Sequence, residues 1–108
     1  MDKNYNAVMI KPIDNVATAL EYIPANAIVT LTCQDKSVSV KVQKDIEFGH
    51  KFAISLISKE ANIVKYGEVI GRAIQDIEPG VHVHIHNIEG IRGRGDQVGN
   101  NKQQILGI

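Results

Sequence analysis

The chain contains no tryptophan, one cysteine and only 5% aromatic residues. With so few aromatics, valine and isoleucine must fill any core, and β-branched side chains suit a pleated sheet better than a helix. A single cysteine excludes an intramolecular disulfide and a cysteine-based metal set, and nothing in cysteine usage argues for secretion. Cys33 closes the apolar run Ile28-Val29-Thr30-Leu31-Thr32-Cys33 and reads as a small core filler. Charge of one sign is also missing, because 12 basic residues balance 12 acidic ones. A protein that tracks phosphates needs a positive excess, so nucleic acid is not expected as a partner. A net charge near zero is compatible with a homo-oligomer. No apolar run approaches the roughly 18 residues of a membrane span. The opening Met1-Asp2-Lys3-Asn4-Tyr5-Asn6 lacks the apolar stretch of a signal peptide, so a cytoplasmic protein is expected, away from membranes.

What remains is the composition of one small globular domain: 108 residues, 44% apolar and 22% charged. Ala7 to Lys11 reads as a first strand closed by Pro12. Apolar residues at 16, 17, 19, 20 and 23 follow a helical pattern, so one short helix is expected, capped by Asp14 or Asn15 and stopped by Pro24. Ala27 to Cys33 and Ser37 to Val42, joined by Gln34-Asp35-Lys36, form a hairpin pattern. Further strand segments follow at 51–57, 63–67 and 69–74, then Glu78-Pro79-Gly80 makes a turn. Val81 to Ile88 alternates without a break and reads as the last strand. No internal repeat is visible. Short strands with Gly and Pro punctuation suggest a small closed or folded-over β architecture. From Glu89 onward Gly, Arg and Asn dominate, so residues 1–88 are expected as the domain and 89–108 as a flexible tail.

His82, His84 and His86 stand at the period of a strand, so an extended chain would project all three from one face. Imidazole titrates nearest neutral pH and is a common metal ligand. The row therefore suits substrate contact, proton transfer, or ligation of a metal by His82, His84 and His86. The bland alternative is a polar strand face with incidental histidines. His50 and Lys51, after Gly49, could present two cationic donors to a carboxylate, against the alternative of a solvated loop. Lys65-Tyr66-Gly67-Glu68 reads as a tight β-connection. Gly49, Gly67 and Gly71 lack the strand–loop–helix setting of a phosphate loop, and Arg94-Gly95-Asp96 is a coincidental tripeptide. No serine or cysteine nucleophile stands beside a base.

Four segments then occur in order: Asp14-Asn15-Val16-Ala17, Gly49-His50-Lys51-Phe52-Ala53, Ile63-Val64-Lys65-Tyr66-Gly67-Glu68-Val69-Ile70-Gly71, and Gly80-Val81-His82-Val83-His84-Ile85-His86-Asn87. Together, over residues 7 to about 88, they resemble the amino-terminal SAF-type domain of altronate and galactarate dehydratases, and the small subunit of sulfolactate sulfo-lyase. The segment Arg92 to Asp96 is similar to the tails of stand-alone small subunits. The resemblance implies a mainly β, SAF-like β-clip fold. It implies a small subunit or accessory domain of a hydro-lyase that turns an aldonic or aldaric acid into a 2-keto-3-deoxy acid. A large catalytic subunit is then the partner, and a divalent metal, commonly iron, the cofactor of the assembled enzyme. Carried over by motif position, His84 and His86 are the catalytic candidates, while His50, Lys51 and Asn87 would bind substrate. His82 belongs chiefly with the sulfo-lyase-like pattern. Two rivals of other classes are a non-catalytic sugar-acid-binding or adaptor domain and a small metal-binding β protein.

Overall fold

A computed structural model describes residues 4–90. Nine strands occur among them: β1 (Ala7–Val8), β2 (Val16–Ala19), β3 (Ile28–Cys33), β4 (Lys36–Lys41), β5 (Lys51–Ala53), β6 (Asn62–Lys65), β7 (Glu68–Ala73), β8 (His82–Val83) and β9 (Ile88–Glu89). They form three antiparallel groups: β1-β2-β5-β8, the hairpin β3-β4, and β6-β7-β9. The mainly β architecture is therefore as expected.

The hairpin follows its sequence closely. In β3, Val29, Leu31 and Cys33 are buried while Ile28, Thr30 and Thr32 face out, the period-two pattern of a strand with one covered face. Gln34 takes a positive φ of 54° in the turn.

The expected helix is absent; no helix occurs among the described residues. Val16–Ala19 is instead strand β2, flanked by β1 and β5, with Ala17 opposite Phe52 and Thr18 opposite Lys51. Val16, Ala17 and Ala19 are all buried. An inner strand covered on both faces reads as a continuous apolar run, which over a few residues cannot be told from a helix by period. Asp14 caps no helix either. It is 1% exposed; its Oδ2 accepts from the amides of Ile10 (2.9 Å) and Lys11 (3.0 Å), and its Oδ1 from the amide of Gly67 (2.7 Å). One carboxylate thus pins the turn after β1 to the turn between β6 and β7. Beside it, Asn15 Oδ1 accepts from Val64 N at 2.8 Å and its Nδ2 donates to Asn62 O at 2.9 Å.

Asp14 also sets an acid limit. Burial pushes its carboxyl up, but the backbone donors at Lys11, Gly67, Ile10 and Tyr66 outweigh it and leave the pKa below 3.8. The stability it contributes is complete above the unfolded value and is lost as pH falls through the lower folded value. Asp14→Asn removes that dependence and puts an NH2 against at least one backbone donor whichever way the amide turns. We expect a loss of about 2 kcal/mol at pH 7, read as a lower urea midpoint. An unchanged midpoint contradicts the clamp.

An internal repeat, invisible to inspection of the sequence, is plain in the backbone bonding. Ile23 and Ile46 exchange both amide bonds (2.9 and 2.8 Å), as do Ile57 and Ile77 (2.9 and 2.8 Å). Asp45 Oδ1 accepts from Ala25 N at 2.8 Å, and Asp76 Oδ1 from Lys59 N at 2.7 Å. Gly49 N donates to Ala19 O and Gly80 N to Ala53 O, both at 2.8 Å. Each paired corner has a positive-φ residue three places after its isoleucine: Asn26, Gly49, Glu60 and Gly80. Two apolar clusters match the two halves. One gathers Ile23, Val29, Val42, Ile46 and Phe52, the other Ile57, Ile63, Ile77, Val83 and Ile88.

β9 straddles the boundary expected at residue 88, since Glu89 pairs with Arg72 of β7 and holds its guanidinium at 2.8 Å. Residues 91–108 of the expected tail, Arg92 to Asp96 among them, lie outside the described residues.

Candidate functional site

β5 carries Lys51 on an inner strand between β2 and β8, and pairs Phe52 with His82. His50 immediately precedes β5, and His82 begins β8. The expected unbroken strand from Val81 to Ile88 is not formed. β8 ends at Val83, and the chain turns through His84 to Asn87 into β9. The amides of Asn87 and Ile88 both donate to His84 O, at 3.0 and 3.2 Å. Asn87 is the physical reason for the turn. It is fully buried, its Oδ1 accepts from His84 N at 3.0 Å, and its Nδ2 donates to His82 O at 2.9 Å. An alternating sequence gives no warning that a side-chain amide will satisfy the backbone in place of a strand partner.

The imidazoles gather nonetheless, as a knot instead of a row. His82 lies at the centre, with ring centroids 4.9 Å from His50, 5.5 Å from His84 and 5.5 Å from His86. His50 and His84 are 5.7 Å apart. His50 Nδ1 and His82 Nε2 are hydrogen-bonded at 2.9 Å, so one nitrogen carries the proton and the other accepts it. Burial, then the neighbouring charges of His50, His84, His86 and Lys51, lower the His82 pKa to about 4. Burial, then Lys51, His50 and His86, lower that of His84. At neutral pH these two rings are uncharged, able to accept a proton or donate a hydrogen bond.

Lys51 is 5% exposed. Burial first, and the charge of Lys65 second, bring its pKa down to about 8. Lys65 was not singled out in the sequence, where it reads as part of a β-connection. Only the pairing of β2 with β5 and the contacts of β6 bring it near.

The expected residues therefore divide. His50, His82, His84 and His86 come together with Lys51 nearby, whereas Asn87 lies beneath them with its amide committed to the turn. Among the described residues no three His, Cys, Asp or Glu side chains are placed to hold one metal ion. His82, His84 and His86, expected as a metal set, are not grouped around one point as they stand here. No described helix is long and apolar enough to cross a membrane.

Residues 5–90 match the sequence profile of the altronate/galactarate dehydratase SAF domain, and the chain belongs to that family. Altronate dehydratase of Escherichia coli (strain K12) is 44% identical over 80 residues, covering 74% of this chain and 15% of that protein. Altronate dehydratase of Bacillus subtilis (strain 168) is 52% identical over 50 residues, 46% of this chain and 10% of that protein. The (2R)-sulfolactate sulfo-lyase subunit alpha of Chromohalobacter salexigens is 39% identical over 56 residues, 52% of this chain and 60% of that subunit. The chain thus spans a small fraction of the dehydratases it matches.

Proposed function

We propose that this SAF domain is the accessory part of a sugar-acid hydro-lyase, presenting its imidazole knot to an aldonic or aldaric acid held mainly by a larger catalytic part. The observation that carries the reading is the convergence of His50 from one segment with His82, His84 and His86 from another, in a chain of a dehydratase domain family.

Elimination of water needs a base for the proton α to the carboxylate, donors for the enediolate oxygen that develops, and a proton for the departing hydroxyl. Neutral imidazoles can fill the first two roles, and the imidazolium formed by taking the α-proton can fill the third. In this reading His84 and His86, on the turn, meet the substrate. His50 and His82, bonded to each other, orient the knot. Two exposed apolar side chains stand next to these residues in sequence, Phe48 at 69% and Ile85 at 57%. A larger part seated over them would exclude water and strengthen every polar interaction beneath. A divalent metal of the assembled enzyme, which would stabilise the enediolate charge, belongs to that larger part.

A second reading is favoured by coverage. The matched region spans 60% of the Chromohalobacter salexigens sulfo-lyase subunit alpha and 85% of that of Paracoccus pantotrophus. The same α-proton would be removed there, with sulfite leaving in place of hydroxide. Purification of the chain with its native partner tests both readings. Release of 2-keto-3-deoxy acid from altronate or galactarate by the pair supports the first, and sulfite release from (2R)-sulfolactate supports the second. A pair inactive on all three acids overturns both.

A further inference from the structure

Lys51 is a buried cation on an inner strand, and among the described residues no carboxylate or other acceptor pairs with its ammonium. An uncompensated buried charge is costly, and a hydrophobic side chain of similar volume would pack without that cost. The surroundings add a second cation instead of an anion. Thr18 is its partner across the sheet, and cross-strand partners present their side chains on one face. The Thr18 hydroxyl accepts from Tyr66 Oη at 3.2 Å. Lys65 Nζ lies 5.1 Å from the Tyr66 ring centre, and its charge bears on Lys51. The other ionisable groups acting here are His82 and His84, whose protonation Lys51 disfavours. Glu68 stands opposite Lys65 in the β6–β7 hairpin, but the charge that bears on Lys51 itself is positive.

We infer that the Lys51 ammonium, with Lys65 beside it and the Thr18 hydroxyl on the same face, is the headgroup site for one oxyanion, a carboxylate or sulfonate, of a small hydroxy acid. This deepens the function proposed above and rests on it for the identity of the acid. The anion would complete the ion pair that the fold leaves open, through charge-assisted hydrogen bonds.

The stability of the free chain carries a signature of the open pair. The folded pKa of Lys51, about 8, lies below its ordinary 10.5. Between those values the unfolded chain binds more protons, so stability rises with pH across that window. Lys51→Met should raise the melting temperature at pH 7 and abolish that rise. A lysine kept for packing or pairing would give the opposite sign.

Binding is tested on the full chain with galactarate, with (2R)-sulfolactate, and with galactitol as the uncharged control, followed through the Lys51 side-chain NMR signals. Either acid should shift those signals saturably, and galactitol should not. Lys51→Met should weaken binding by about ten-fold or more, the worth of a charge-assisted bond, and Lys65→Met by less. A response to either acid supports the inference. Signals unmoved by both acids, or moved equally by galactitol, overturn it. Should Lys51→Met leave turnover of the assembled pair intact, the headgroup site fails while the accessory role stands. Should anions bind at Lys51 in a chain whose native partner is no lyase, the functional reading fails while the site stands.

Discussion

His84→Ala in the assembled enzyme is expected to lower turnover by about 10²-fold, the usual worth of a positioned acid–base group, and His86→Ala by a similar factor. His84 sits where β8 ends. Its amide is fixed by Asn87 Oδ1 and its carbonyl accepts from the amides of Asn87 and Ile88, so its Cα is held by bonds that do not involve the ring. Truncation to alanine therefore removes the imidazole and leaves the turn in place. Thermal stability and co-purification with the large partner should change little, which separates loss of chemistry from loss of assembly. Partial rescue by added imidazole is expected as well. A loss below about threefold with assembly intact would reduce these rings to surface decoration, since that is less than one hydrogen bond is worth.

The second large effect is on folding. Gly80→Ala should destabilise the domain by about 3 kcal/mol or more, near the upper range for single substitutions. Gly80 has φ +86°, and a Cβ there would run into the carbonyl oxygen of Lys41 and come within 3.0 Å of Val42 Cα. Both obstacles are backbone. Its amide bonds to Ala53 O and its carbonyl accepts from Gln43 N, so the corner that launches β8 cannot move away. Gly49 is its counterpart in the other half, with φ +87° and nothing within 4 Å of an added Cβ. Gly49→Ala should therefore cost only the positive-φ strain, about 1 kcal/mol. Urea midpoints of the two variants make the comparison, and equal losses would contradict the close approach at Gly80.

The contrast between these corners shows what a linear reading can and cannot reach. Strand content was legible because valines and isoleucines alternate in β3 and β4, and the hairpin between them has a compact turn signal. β2 was misread as helix because an inner strand buried on both faces has no polar side to mark its period. The repeat had a faint trace, Asp45-Ile46-Glu47 matched by Asp76-Ile77-Glu78. Its counterparts around Ile23 and Ile57 share backbone geometry more than side chains, so the pattern stays below notice. In the site, the spacing of His82, His84 and His86 was visible, and the resemblance to dehydratase domains pointed to His50 and Lys51. The reason they meet was not visible. Strand spacing suggested a row, but Asn87 folds the segment into a turn, and β5–β8 pairing brings His50 against His82. Asp14 and Asn15 were legible as polar residues at a boundary. That they lock the β6–β7 hairpin from some 50 residues away depends on contacts no local pattern encodes.

The account stands on His82 being bonded to His50 at the centre of the knot, with His82 and His84 uncharged at neutral pH. Long-range proton–nitrogen NMR of the four histidines across pH 3 to 8 tests this most directly. The account predicts that His82 stays neutral until about pH 4, with a fixed tautomer set by its bond to His50. It also predicts that stability declines as pH falls from the ordinary histidine value of 6.5 toward 4, because the unfolded chain takes up the proton first. Titration of His82 near 6.5, with a freely exchanging tautomer, would contradict it.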